Sequence, residues 1–140
     1  MNPKLIVFDL NKTLIHENSW LDLNLAMGVT EAEDDMLMSW AEQGIIDDAV
    51  GQGILTEIYK KRGDVSHDTI WKVITTYTYL PGARTTVAEL LKRGYQIALI
   101  SGAMDILVQS VAKELEVHHW RAANQFIFDN EQRLHHIVTA

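Results

Sequence analysis

Three short, nearly continuous apolar runs constrain the fold of this chain more than any other feature. They lie at residues 4–10, 95–100 and 122–128. Apolar residues on both faces of a run this short are the pattern of a strand buried in a parallel sheet. The stretches between them have the helical period. Residues 83–93 place Val87, Leu90 and Leu91 on one face, with Lys92-Arg93 where a helix dipole favours cations. Residues 104–116 repeat the pattern with Ile106, Leu107, Val111 and Leu115. Strands alternating with helices imply a parallel sheet with right-handed crossovers. A last run, 134–138, is expected to pair with 122–128 as a hairpin across Asp129-Asn130-Glu131.

The long interval after the first strand, residues 16–79, reads as an inserted helical bundle. Its first helix runs through Trp20, Leu23 and Leu25, with Gly28 as the stop. Thr30 followed by Glu33 has the spacing of a capping box for a second helix. Ile54, Leu55, Ile58 and Tyr59 mark a third, ending near Gly63, and Ser66 is placed to cap a fourth. Leu80-Pro81-Gly82 then punctuates the chain. Boundaries are therefore drawn near residues 15 and 80, with 1–15 and 80–140 as one α/β unit and 16–79 as the insert. Trp20, Trp40 and Trp71 are expected in the core of that insert.

At 140 residues the chain has room for one domain, or one small core with one insertion. Its 19 acidic against 12 basic residues leave a formal charge of −7, which argues against nucleic acid as partner. No cysteine is present, so disulfides and thiolate chemistry are excluded, and a cytoplasmic location is expected. No apolar run approaches the about 20 residues a membrane span needs. Met1-Asn2-Pro3-Lys4 leads directly into the first strand without the pattern of a targeting peptide.

Sites in open parallel sheets form beyond the carboxyl ends of the strands. Asp9 closes the first strand and Ser101-Gly102 closes the second. If those strands are neighbours, a carboxylate, a hydroxyl and free backbone N–H groups face one crevice. The carboxylate suits Mg²⁺ or attack on phosphorus, and the hydroxyl and N–H groups suit phosphate oxygens. His118-His119 and His135-His136 are not expected to bind metal, because adjacent strand residues point to opposite faces.

Phe8-Asp9-Leu10-Asn11-Lys12-Thr13-Leu14-Ile15 resembles the Asp-x-Asp-x-Thr opening motif of the haloacid dehalogenase superfamily. The stretch from Pro81-Gly82 through Ile97-Ala98-Leu99-Ile100-Ser101-Gly102 resembles the second-motif region of its phosphoserine phosphatase-like members. Ala122-Ala123-Asn124-Gln125-Phe126 resembles their third strand. The resemblance implies a partial Rossmann-like sheet with a small α-helical cap inserted after the first strand. It implies a Mg²⁺-dependent phosphatase acting on a small phosphorylated metabolite. Asp9 would be the nucleophile and a Mg²⁺ ligand, with the backbone carbonyl of Asn11 as a second ligand. Leu10, Thr13, Ser101 and Gly102 would hold the phosphoryl group. Glu17 lies one residue from where that subgroup places a substrate-binding Glu. The Arg and Phe that its cap uses for substrate have no match near residues 51–58.

Two departures set further expectations. Asn11 stands where the family places a catalytic Asp, and an amide can neither give nor take the proton. The family's third-motif Lys and fourth-motif acidic pair are not found in these 140 residues. Impaired turnover is expected, and the alternative is an inactive relative or fragment that binds phosphate, a metabolite or a partner. A sheet of only these strands leaves the first one at an edge, so a homodimer through it is expected.

Overall fold

The computed structural model describes residues 4–140. The reading of Met1-Asn2-Pro3 falls outside them. The ten elements follow in the order β1 (Leu5–Phe8), α1 (Ser19–Ala26), α2 (Glu31–Glu42), α3 (Asp48–Arg62), α4 (His67–Ile74), α5 (Ala83–Lys92), β2 (Gln96–Met104), α6 (Asp105–Glu114), β3 (His119–Phe128) and β4 (Leu134–Thr139). One sheet has the order β1-β2-β3-β4. β1, β2 and β3 are parallel, and β4 returns antiparallel to β3 as the expected hairpin.

Both crossovers step the same way across this sheet, so right-handed connections bring α5 and α6 to the same face. There Ile97, Leu99, Val87, Leu107, Val108 and Val111 are buried together. The opposite face is uncovered. Leu5, Val7 and Ile100 are 59%, 49% and 52% exposed. This corrects the expectation that the first strands are buried on both sides: their composition has no amphipathic signal, but these residues supply helices to one face only. Among the described residues, no helix is long and apolar enough to cross a membrane.

The helical segment forms as its local signals dictate. Thr30 and Glu33 make the reciprocal capping box, with Oγ1 of Thr30 accepting from Glu33 N at 3.2 Å and Thr30 N donating to Oε1 of Glu33 at 3.0 Å. Asn18, Asp47 and Ser66 cap α1, α3 and α4. Each cap satisfies one N–H that the first helical turn leaves free. Gly28 takes φ +89° just past α1, a conformation that costs other residues strain. Trp20 and Trp40 pack on the core as expected, but Trp71 is 47% exposed. Ile70 and Ile74 carry the buried stripe of α4, and Trp71 lies one residue off it.

The two ends of the segment run side by side. His16 N donates to Thr78 O at 3.0 Å and Leu80 N to Leu14 O at 2.9 Å. Glu17 sits between these limbs. Its carboxylate accepts from Thr78 N and, at 2.8 Å, from Thr78 Oγ1. Partial burial works to raise its pKa, but those hydrogen bonds prevail and hold it below the ordinary carboxylate range. The segment is also tied to the far hairpin, as α3 packs along β4. Lys60 Nζ donates to His135 O at 2.7 Å and Leu134 N to Val65 O at 2.8 Å.

That hairpin corrects the reading of its two histidines. Ile127 pairs with His136 but Phe128 pairs with Leu134, so His135 is an extra residue on β4. Such a bulge cancels the alternation of faces. The two Nδ1 atoms lie 2.6 Å apart instead of on opposite sides.

Gly63, at the end of α3, touches the end of α1. A Cβ there would stand 2.9 Å from both Cα and Sδ of Met27, which is buried. Gly63→Ala is expected to cost about 1–3 kcal/mol through overpacking. The denaturant midpoint should fall at constant slope, and an unchanged midpoint would show that this contact is loose.

Candidate active site

Asp9 follows directly on β1, with its side chain exposed at the sheet end. It is set between two anchored residues. Phe8 pairs with Leu99 in the parallel ladder, and Leu10 is 0% exposed. The Leu10 carbonyl accepts from Thr13 and Leu14 N at 2.9 Å each and from Ile15 N at 3.2 Å. Lys12 at φ 62° completes this tight turn. The chain therefore leaves the strand and turns sharply, with Thr13 exposed.

β1 and β2 are neighbours and parallel, so Asp9 and Ser101-Gly102 share one end of the sheet, as their positions implied. The strand, however, does not stop at Ile100. It continues to Met104 through a register shift: Ser101 pairs with Ala122 and Met104 with Asn124. Three steps on β2 against two on β3 free Gly102 and Ala103 from regular pairing. Ser101 is buried, and its Oγ accepts from Ala103 N at 3.1 Å, leaving the hydroxyl proton available. Nothing stands within 4 Å of where a Cβ on Gly102 would be, so the space above it is open.

Three side chains missed in the sequence organise this end. Trp20 Nε1 and Asn124 Nδ2 both donate to Gly102 O, at 3.1 and 3.0 Å. Trp20 was expected as plain core, yet it joins α1 to the bulge while its ring packs near Phe126. Asn11 Oδ1 accepts from Ser19 N at 3.3 Å, so the turn after Asp9 also positions the start of α1. Asp105, just beyond the bulge, accepts from Phe126 N at 3.2 Å. Burial pushes its pKa up, against backbone hydrogen bonds that work to lower it. Glu17 stays on the linker limbs, hydrogen-bonded to Thr78 as above.

A cavity of about 330 Å³ opens between α1, α2 and α3 on one side and Gly102 and Asn124 on the other. Asn18 lines it where the sequence pointed to its neighbour Glu17. Its size suits a small molecule.

The donor set at Asp9 bears on a metal. Among the described residues, no three or more His, Cys, Asp or Glu form a group that could hold one. The oxygen donors on this turn are the Asp9 carboxylate and, two residues on, the Asn11 carbonyl, to which no described backbone N–H donates. Mg²⁺ is commonly held by one or two carboxylates with substrate phosphate oxygens completing its shell. The residues present fit that mode.

The model of the haloacid dehalogenase-like hydrolase family matches residues 6–137. The chain belongs to that family. Among its relatives, the phosphoserine phosphatase of Methanocaldococcus jannaschii is 27% identical over 128 residues. That match covers 91% of this chain and 59% of the relative, so the chain spans about three-fifths of the length of that curated protein. A solved phospho-aspartyl intermediate analogue of phosphoserine phosphatase superposes with TM-score 0.78 at 25% identity, covering 99% of this chain and 64% of that one. A family hydrolase from Salmonella enterica serovar Typhi shares the fold at TM-score 0.78 and 20% identity, over 97% and 46% of the two chains. Within this family the chain sits beside the phosphoserine phosphatase subgroup, with the α/β sheet and helical segment in the same arrangement.

Proposed function

We propose that this chain carries the phosphoryl-accepting half of a Mg²⁺-dependent phosphatase acting on a small phosphomonoester through phospho-Asp9. The observation that carries the reading is the parallel pairing of β1 with β2. Asp9 and the Ser101-Gly102 bulge thereby come to one end of the sheet, and Gly102 also lines the open cavity under the helical segment.

The reading assigns the following roles. Ser101 Oγ–H and the N–H groups of Leu10 and Gly102 receive phosphate oxygens, with Thr13 at the rim. Asp9 Oδ attacks phosphorus, the P–O bond to the alcohol breaks, and the alcohol oxygen leaves needing a proton. Asn11 cannot supply it, nor can it take one from the water that later attacks the phosphoryl group and frees Asp9. Mg²⁺, when bound, neutralises charge on the phosphate and on Asp9. Residues 16–79 act as a cap that limits water around the cavity, hinged at the limbs Glu17 clasps to Thr78 and latched by Trp20 to Gly102.

The chain as it stands is expected to turn over slowly. The test is an assay with Mg²⁺ on an aryl and an alkyl phosphate, comparing the native chain with Asn11→Asp. A gain on substitution supports the reading. No turnover in either folded protein favours binding without hydrolysis, the reading to which the structural use of Asn11 Oδ1 lends some weight.

A further inference from the structure

Two consecutive residues of the helical segment reach two different loops at the sheet end. Ser19 N, at the start of α1, donates to Asn11 Oδ1 in the turn after Asp9. The next residue, Trp20, donates through Nε1 to Gly102 O in the β2 bulge. The first turn of α1 therefore straps the loop that follows Asp9 to the loop that follows Ser101. The register shift leaves Gly102 and Ala103 outside the regular ladder, so other groups must hold them. Gly102 O takes two donors, Trp20 Nε1 at 3.1 Å and Asn124 Nδ2 at 3.0 Å. Together they use both lone pairs of that carbonyl. Asn124 belongs to the sheet. It is 5% exposed, and its Oδ1 accepts from Thr139 Oγ1 at 3.1 Å. Trp20 belongs to the helical segment, 82 residues from Gly102 in sequence. Nothing stands within 4 Å of where a Cβ on Gly102 would be, so no packing on that side fixes the backbone. One donor from the sheet and one from the helical segment hold this carbonyl.

We infer that Trp20 is a positioning residue of the phosphoryl site: its indole N–H holds the Gly102 backbone in the orientation that receives phosphate. This rests on the phosphomonoester reading above and deepens it. The helical segment becomes part of what binds phosphate, and not only a cover or a latch. Without the Trp20 donor the bulge samples other orientations, and phosphate bears the cost of ordering it. Linkage is reciprocal, so bound phosphate must also change the state of the Trp20 hydrogen bond.

Trp20→Phe removes the N–H and keeps an aromatic ring beside Phe126, whose centroid lies 5.9 Å from that of the indole. Inorganic phosphate with Mg²⁺ can be titrated into the native chain and the variant by calorimetry. The Kd is expected to rise at least about threefold on loss of one of the two donors to Gly102 O. Nitrogen-15 NMR supplies a readout that packing alone would not move. The indole signal missing from Trp20→Phe should shift in the native chain when phosphate and Mg²⁺ are added. The signal of Trp71, 47% exposed on α4, should stay in place. An unchanged Kd, or a stationary Trp20 signal while phosphate binds, overturns the inference and leaves the underlying reading intact. Failure of the native chain to bind phosphate overturns both. If Trp20→Phe does not fold, the Trp20 signal is assigned on the native chain through its proximity to Phe126 and decides alone.

Discussion

Asn11→Asp is expected to raise phosphomonoester turnover by about 10²–10⁴-fold, the range that a positioned general acid–base group contributes. The substituted carboxyl keeps the atom that already does structural work, since Oδ1 of Asn11 accepts from Ser19 N and a carboxylate oxygen accepts equally well. The turn and the start of α1 should therefore hold their places. What changes is that the side chain can give a proton to the departing alcohol and then take one from water. The gain should be larger for an alkyl than for an aryl phosphate, because a phenolate leaves without a proton and an alkoxide does not. An equal gain on both would point to a change in binding. No gain on either, in a folded protein, would remove Asn11 from the mechanism.

Leu10→Ala is expected to cost about 2–5 kcal/mol of stability, the range for emptying a fully buried leucine position. That is a large share of the 5–15 kcal/mol that holds a typical domain together. Leu10 is 0% exposed and stands between Asp9 and Asn11, with its carbonyl gathering the three N–H groups of the turn. The same residue thus anchors the core and holds the backbone next to Asp9, the proposed nucleophile. Chemical denaturation should show the loss of stability, and stabilisation by Mg²⁺ with phosphate should weaken in parallel. A stability change below about 1 kcal/mol would mean the turn is not held by this side chain.

What was legible in the sequence was local. Thr30 with Glu33, Gly28, Ser66 and the apolar stripe of α6 each act within a few residues, so their spacing predicted the structure formed. Asp9 and Ser101-Gly102 were legible because strand ends in a parallel sheet converge by topology alone. The misses were long-range. The exposure of Ile100 depends on two crossovers covering the same face, and nothing in its own neighbourhood records that. Trp20 reaches Gly102, 82 residues away, and Tyr59 reaches Asn24 and through it Asp34 across three helices. The pairing of His135 with His136 needed a bulge, which a two-residue alternation forbids. Glu17 was found by resemblance as a substrate group, and the fold sets its carboxylate on Thr78. The cavity, with Asn18, Asn24 and Asp34, was assembled entirely by such contacts.

The destination of the phosphoryl group can be read directly. The native chain should be incubated with Mg²⁺ and an aryl phosphate, quenched in acid and mapped by mass spectrometry. With Asn11 unable to activate water, one phosphoryl group is expected to be retained on Asp9 and none on the Asp9→Asn variant. A phosphoryl group on any other residue, or none on the folded native chain, would contradict that expectation.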